Sequence, residues 1–189
     1  LHGDRFVAGR GQLREILGQY LHRPPRSLFI HCNAFGKPQL GNGLAGALHF
    51  NLSHSGDLAA LAVSPAFDVG IDIEERRPLE ENIAERFFSP REAGTLRRMS
   101  GERALQAFYR CWTSKEAFVK AHGAGLSLPL DSFDVSVDPD RPPALLNLGG
   151  DRKAARQWSL LALDLPDGMS GTVAALTVGN RVKLRYREI

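Results

Sequence analysis

The sequence predicts an α+β fold made of two similar halves, residues 1–66 and 67–189, related by pseudo-two-fold symmetry. Each half contains one longer helix, a polar loop and two apolar strands. The last strands of the halves are alike, because LAALAV at residues 58–63 matches VAALTV at residues 173–178 in length and character. The surface between two such halves is a common place for a ligand cleft, so functional residues are expected there.

Length and composition agree with a globular protein. The 189 residues include 24% charged side chains, close to the average for folded proteins. A chain of this size buries well over half of its unfolded surface without a disulfide or a structural metal. The longest apolar run covers residues 58–63, whereas a membrane span needs about 20 such residues. We therefore expect no membrane partner.

The N-terminal residues and the cysteines indicate a cellular compartment. Charges at Arg5 and Arg10, with no apolar run beside them, argue against a signal peptide. The chain begins at Leu1 rather than at methionine, so we expect a first segment to be missing. Cys32 and Cys111 are the two cysteines and lie far apart in no C-x-x-C pair. This usage favours the reducing cytoplasm over a disulfide framework or a cysteine zinc site.

The elements of the first half follow from apolar spacing and from prolines. Residues 5–20 are expected to form a helix because apolar side chains recur at helical spacing. Pro24 and Pro25 then stop that helix. Strands are expected at residues 28–31, 48–52 and 58–63, with a turn at residues 36–38 and a polar loop at residues 53–57.

The second half begins with an alternating strand at residues 69–74, which places Asp72 and Glu74 on one face. Ser89 is a good helix N-cap, because Pro90 follows it and Glu92 can close a capping box. Helices are expected at residues 80–88 and 102–122, the latter ended by Gly123, and strands near residues 132–137, 157–164 and 171–178.

Asp72 and Glu74 are the first candidates for chemistry. Their spacing on a strand puts the two carboxylates about 7 Å apart on one face. Two such acids repel each other unless a cation lies between them, and carboxylate oxygens suit Mg²⁺. The alternative interpretation is the solvated face of a half-exposed strand, and the pair alone leaves both interpretations open.

Glu116 and Lys120 lie four residues apart on the longer helix and therefore share one face. A surface ion pair is one interpretation. The other is a carboxylate for metal binding or base catalysis, beside an ammonium group that can contact phosphate as a point charge.

The remaining candidates lie in the first half. Ser53 and His54 fall in a predicted loop, and His54 could contact a phosphate or be an ordinary turn histidine. Lys37 could equally be a solvated turn lysine, and Arg5 a helix-surface charge. In the second half, Glu92 is not counted as a catalytic candidate because it already has a capping role.

The net charge of +3 is unevenly spread along the chain. Residues 1–66 hold six basic and three acidic side chains, whereas the remainder holds eighteen of each. An excess in the first third favours an anionic ligand near that part of the chain. Solubility is the alternative explanation of the same charge.

Four stretches read together resemble a known family. They are FGKP at residues 35–38, FNLSHSG at 50–56, VGIDIE at 69–74 and WTSKEAFVK at 112–120, with GLSLPL at 125–130 following. In this order they resemble the surfactin-type (Sfp-type) 4′-phosphopantetheinyl transferases. The specific feature is G-I-D-I-E followed by W-x-x-K-E-x-x-x-K, with Asn-x-Ser-His upstream.

The resemblance covers about residues 5–137. In surfactin-type members a further segment, with basic residues that help to hold coenzyme A, precedes the helix that begins near Arg5. We therefore expect that segment to be missing from this chain.

The resemblance implies the 4′-phosphopantetheinyl transferase fold, with two similar subdomains and the active site between them. It implies transfer of the 4′-phosphopantetheine arm of coenzyme A to a serine of an acyl, peptidyl or aryl carrier protein, with Mg²⁺ as cofactor. Asp72, Glu74 and Glu116 would be the metal ligands, with Glu116 also a candidate base. Lys120 would neutralise the pyrophosphate and the leaving group.

The resemblance also implies nucleotide-phosphate contacts from Arg5, Lys37, Ser53 and His54, which agrees with the basic first third. It implies a monomer. We expect no nucleic-acid partner, and the cysteine usage predicts a cytoplasmic location. Two alternatives stand beside this interpretation. One is a metal-dependent nuclease, although Glu116 and Lys120 are expected on a helix rather than on a strand. The other is a non-catalytic module that binds carrier proteins.

Overall fold

The computed structural model describes residues 2–79 and 82–187, with the backbone alone for residues 2–10 and 126. The described helices are α1 (His2–Leu21), α2 (Ile83–Phe87), α3 (Pro90–Leu96), α4 (Gly101–His122) and α5 (Arg152–Ala155). The described strands are β1 (Ile30–Cys32), β2 (Pro38–Leu40), β3 (His49–Ser55), β4 (Leu58–Ser64), β5 (Val69–Glu75), β6 (Phe133–Val135), β7 (Leu145–Leu148), β8 (Trp158–Ala162) and β9 (Met169–Leu176).

All strand pairs of the described chain are antiparallel. β1 pairs with β2, β3 with β4 and β6 with β7, and the three-stranded sheet has the order β5-β9-β8. The element order α1-β1-β2-β3-β4 recurs as α4-β6-β7-β8-β9, with α5 added before β8. The α+β prediction is therefore confirmed. The division of the chain at residues 66 and 67 stays a prediction.

Two hydrophobic clusters form the interior of the described chain. The smaller cluster joins α1 to β3 and includes Leu13, Leu17 and Phe50. The larger cluster surrounds α4, where Phe108 and Phe118 are at most 3% exposed. Side chains of this size contribute about 1.5–3 kcal/mol each when fully buried, so α4 is held firmly against the three-stranded sheet.

The predicted helix signals are confirmed. Ser89 Oγ accepts a hydrogen bond from Glu92 N, and Glu92 Oε2 accepts one from Ser89 N, which together form the capping box. Gly123 ends α4 with a φ of 79°, a left-handed conformation that glycine adopts without steric cost. The helix predicted at residues 80–88 is shorter, Ile83–Phe87, and residues 80 and 81 lie outside the described residues.

One expectation about the strands is wrong. The loop predicted at residues 53–57 is confined to Gly56 and Asp57, because β3 continues through Ser55 in register with β4. The alternative interpretation of β5 as a half-exposed strand does not hold for Asp72, since Val69–Ile73 are all buried. The three-stranded sheet has α4 packed on β5 and β9, which covers the face that carries Asp72. None of the described helices is long and apolar enough to cross a membrane.

Candidate active site

The site lies where β3 meets β5. The two strands belong to different sheets, and three side chains of β3 accept hydrogen bonds from backbone N–H groups of β5. The bonds run from Ile71 N to Asn51 Oδ1 (2.9 Å), from Ile73 N to Ser53 Oγ (3.3 Å) and from Glu75 N to Ser55 Oγ (3.0 Å). We call this contact the β3–β5 seam. Its side chains satisfy backbone donors that would otherwise be buried without a partner.

Asp72 is the most buried carboxylate at the seam. It is 3% exposed, and Ser53 Oγ donates a hydrogen bond to its Oδ1 at 3.2 Å. Lys120 Nζ forms an ion pair with the same Oδ1 at 2.7 Å and also contacts Ser53 Oγ at 3.3 Å. Asp72 Oδ2 is buried and has no hydrogen-bond partner among the described residues. A buried carboxylate oxygen without a partner is costly, so this atom is available to a ligand.

Glu74 and Glu116 complete the acidic cluster. Ser55 Oγ donates a hydrogen bond to Glu74 Oε2 at 3.0 Å. Glu116 is half-buried on α4 and has no hydrogen bond or ion pair with a described residue. Burial and the nearby Glu74 raise the pKa of Glu116, while Lys120 opposes that rise. The charges of the three acids therefore act on one another across the seam.

Burial changes the pKa of Asp72 more than the ion pair with Lys120 does. The pKa of Asp72 is raised by burial to about 6, with Lys120 opposing the rise and with Glu74 and Glu116 adding to it. A carboxylate that holds its proton this tightly lacks enough positive charge around it. A bound cation would supply that charge.

Gly70 brings α4 close to the seam. A Cβ at this position would overlap the carbonyl oxygen of Ala117 and the backbone nitrogen of Ala121. Only glycine lets the backbone of α4 approach β5 so closely. This approach places Lys120 against Asp72, since Lys120 lies between the two helix residues that Gly70 contacts.

The structure gathers some predicted site residues and not others. Ser53, Asp72, Glu74, Glu116 and Lys120 come together at the seam. Among the described residues, no three Asp, Glu, His or Cys side chains converge closely enough to form a complete metal site. The carboxylate groups of the seam, including the unpartnered Asp72 Oδ2, are nevertheless of the chemical type that binds a divalent cation, since Mg²⁺ takes carboxylate oxygens and keeps several waters.

His54 and Lys37 lie away from this cluster. His54 is exposed on β3 and, as the neighbour of Ser53 in a strand, points to the opposite face. Lys37 Nζ donates a hydrogen bond to Ala121 O at 3.0 Å, at the C-terminal end of α4. Burial lowers the pKa of Lys37, and Asp68 opposes that change. The side chain of Arg5 lies outside the described residues, so the phosphate contacts of all three stay predictions.

Asn51, Ser55 and Gly70 also belong to the seam but are not among the predicted site residues. A signal for the first two was present, because Asn51, Ser53 and Ser55 alternate as residues on one face of a strand do. Because residues 53–57 were predicted to form a loop, that alternation was not assigned to a strand. The role of Gly70 depends on its contact with α4, whose first residue, Gly101, lies 31 residues further along the chain. No local sequence pattern indicates such a contact.

An α+β protein with a buried carboxylate beside a lysine, and two further acids close by, is suited to phosphoryl-type transfer, in which positioning and charge neutralisation do most of the work. A family model described as the 4′-phosphopantetheinyl transferase superfamily matches residues 68–176. The chain is 41% identical over 181 residues to the 4′-phosphopantetheinyl transferase HetI of Nostoc, covering 94% of this chain and 73% of HetI. The chain therefore belongs to the 4′-phosphopantetheinyl transferase superfamily, a family of enzymes.

A second relative agrees with the surfactin-type class. The 4′-phosphopantetheinyl transferase Sfp of Bacillus subtilis is 37% identical over 139 residues, which are 72% of this chain and 59% of Sfp. The Sfp-type prediction is therefore confirmed. The crystal structure of the holo-[acyl-carrier-protein] synthase (AcpS) of Thermotoga maritima is 21% identical with a TM-score of 0.46, over 59% of this chain and 64% of that chain.

Proposed function

We propose that this protein transfers the 4′-phosphopantetheine arm of coenzyme A to a serine hydroxyl of a carrier protein, with Mg²⁺ as cofactor. The observation that carries the proposal is the buried Asp72 beside Lys120 and Ser53, with Oδ2 left without a partner. Family membership supports the reaction class. The chain spans 73% of HetI and 59% of Sfp in length, so its activity is put forward as a proposal.

The acids of the seam would hold the metal. We assign Asp72, Glu74 and Glu116 as its ligands, and the ion would supply positive charge to pyrophosphate oxygens. Glu116 is also the candidate base for the serine hydroxyl. Its raised pKa brings it toward the working pH, where a general base is most effective. Its carboxylate has no partner among the described residues that would compete for the proton.

The basic residues would bind the phosphates. Lys120 lies within 2.7 Å of Asp72 and is partly exposed, so it can neutralise charge on the pyrophosphate and on the leaving adenosine 3′,5′-bisphosphate. We assign Arg5, Lys37, Ser53 and His54 to the nucleotide phosphates, as the family resemblance implies. Lys37 would then exchange its hydrogen bond with Ala121 O for a phosphate oxygen.

Intact-mass spectrometry tests the reaction class. An apo carrier protein incubated with this protein, coenzyme A and Mg²⁺ should gain the mass of one phosphopantetheine group. The same mixture with a carrier whose acceptor serine is replaced by alanine should show no gain. An unmodified wild-type carrier would contradict the proposal and favour a non-catalytic binding module, whereas cleavage of added DNA or RNA would favour the nuclease alternative.

The partners follow from the same proposal. We assign an acyl, peptidyl or aryl carrier protein as the acceptor, and coenzyme A as the donor. Positive charge concentrated in residues 1–66 would attract an acidic carrier by electrostatic steering. Cys32 and Cys111 are free thiols, which suits a location in the reducing cytoplasm. We also propose a monomer, as the family resemblance implies.

Replacing Lys120 by alanine is expected to lower kcat for transfer about 100-fold, which is the usual cost of removing one preorganised charge from a transition state. Carrier binding should change little, because Lys120 lies at the seam beside Asp72. Steady-state kinetics at saturating coenzyme A measure the effect. Lys153→Ala, which removes an exposed lysine of α5, is the control. An equal loss in both variants, or none in Lys120→Ala, would contradict the role.

A further inference from the structure

Ser53 and Ser55 make the same pair of contacts with β5. Each hydroxyl accepts a hydrogen bond from a backbone N–H and donates one to the carboxylate of the preceding residue. Ser53 accepts from Ile73 N and donates to Asp72, and Ser55 accepts from Glu75 N and donates to Glu74. The hydroxyl hydrogen of each serine is thus aimed at a carboxylate by the backbone of the neighbouring strand.

Asn51 occupies the third position of the β3–β5 seam and makes only the backbone contact. Its Oδ1 accepts from Ile71 N at 2.9 Å, and the preceding residue on β5 is Gly70, which has no side chain. An amide oxygen can accept but cannot donate, whereas a hydroxyl does both through one atom. The two serines therefore stand at the two seam positions where an acid faces them.

We propose that Ser55 is a positioning residue that holds the Glu74 carboxylate on the same side of β5 as Asp72, ready for a divalent cation. The inference rests on the proposed function, in which Glu74 is a metal ligand. A glutamate side chain loses considerable rotamer freedom when it is held in one orientation. The 3.0 Å hydrogen bond from Ser55 Oγ to Glu74 Oε2 already restricts the side chain to this orientation before a metal binds. Glu74 Oε1 has no hydrogen-bond partner among the described residues.

The size of the effect follows from other metal sites. Groups that hydrogen-bond a metal ligand without touching the metal change metal affinity by about 10–100-fold when they are removed. Ser55→Ala should therefore weaken divalent-ion binding by about 10-fold or more. Ser55→Thr keeps a hydroxyl and should restore affinity to within about twofold of wild type, because threonine has the same donor and acceptor.

The test measures Mn²⁺ binding to the full chain by electron paramagnetic resonance, without coenzyme A or carrier. Asn51→Ala is the matched control, because it removes a seam hydrogen bond that faces no acid. It should lower the unfolding midpoint and leave the Mn²⁺ dissociation constant within about twofold. If Asn51→Ala does not fold, Asn51→Ser serves as the control variant instead. In Glu74→Gln, the further change Ser55→Ala should have little added effect, because interacting residues give non-additive changes.

Three outcomes would overturn the inference. Wild-type Mn²⁺ affinity in Ser55→Ala would show that the hydroxyl does not position Glu74. Equal weakening in Ser55→Ala and Asn51→Ala would show a general loss of the seam. Absence of Mn²⁺ binding to the wild type would remove both this inference and the metal assignment. The reaction class is judged separately, by the mass gain of the carrier.

Discussion

Asp72→Asn is expected to reduce phosphopantetheine transfer by about 1,000-fold or more, because it removes the most buried charge of the proposed metal site. Asparagine has nearly the same shape, so the fold should persist. The Asp72 carboxylate is 3% exposed, pairs with Lys120 and leaves Oδ2 without a partner. Rates of carrier modification, measured by intact mass over a series of Mg²⁺ concentrations, give the size of the loss.

Asp138→Asn is the matched control for this change. Asp138 is also an ion-paired acid, but its partners Arg103 and Arg141 are exposed, and exposed pairs have small effects. Its transfer rate should stay within about twofold of wild type. If Asp72→Asn kept more than about a tenth of the wild-type rate at any Mg²⁺ concentration, the metal assignment would be wrong.

The same substitution has an opposite effect on stability. The folded protein raises the pKa of Asp72 to about 6, so the folded state holds this proton more tightly than the unfolded state. The contribution of Asp72 to stability is then fully present below its unfolded pKa of about 3.9 and is lost as pH rises through about 6. The acid is needed for function and costs stability at neutral pH.

Denaturant unfolding of both proteins in the presence of a chelator tests this trade-off. The free energy of unfolding of Asp72→Asn relative to wild type should increase between about pH 4 and pH 7. Added Mg²⁺ should stabilise wild type and not the variant, because a ligand that binds only the folded state adds to its stability. A difference that stays constant over this pH range would contradict the buried, partner-poor environment of Asp72.

Local patterns predicted much of the fold and the pairs within the site. The i, i+4 spacing of Glu116 and Lys120 on α4 and the capping box of Ser89 with Glu92 depend on neighbours in sequence. A single helix or turn sets such features. They were found because the sequence contains all of the interacting groups within a few residues.

Long-range contacts explain what the sequence did not predict. The burial of Asp72 depends on α4, whose approach requires Gly70. Ser53 and His54 are adjacent and are both predicted to bind phosphate, yet strand geometry places their side chains on opposite faces. The 20-residue separation between Ser55 and Glu75 in the seam likewise has no local signature. Packing between distant segments decides such features.

Lys115→Met is expected to destabilise the protein by about 3–5 kcal/mol, since it leaves a buried carboxylate without its counter-charge. Lys115 is 0% exposed, and its Nζ lies 2.8 Å from Glu92 Oε2. The ammonium also donates to Leu130 O and Phe133 O, both at 2.6 Å. A loss of this size is a large share of the roughly 5–15 kcal/mol that holds a domain folded. Chemical denaturation measures it.

The loss of stability in Lys115→Met is large because of where Glu92 lies. Its Oε1 accepts from Val135 N at 2.7 Å and its Oε2 from Ser89 N at 2.9 Å, so the charge cannot move to water without breaking the start of α3 and its contact with β6. The double variant Lys115→Met, Glu92→Gln should recover part of the stability, because neither charge is then left unpaired.

The exposed Arg103 provides the comparison, since it pairs with Asp138 and Asp140 on the surface and Arg103→Met should have a small effect. If Lys115→Met were no more destabilising than Arg103→Met, the buried pair would not hold α3 and α4 together.

The same comparison distinguishes the roles of two adjacent charged residues in the motif at residues 112–120. Lys115 points into the larger hydrophobic cluster and supports the fold, whereas Glu116, one residue on, faces the seam. Refolded Lys115→Met should therefore keep the transfer rate per folded molecule that Asp72→Asn loses.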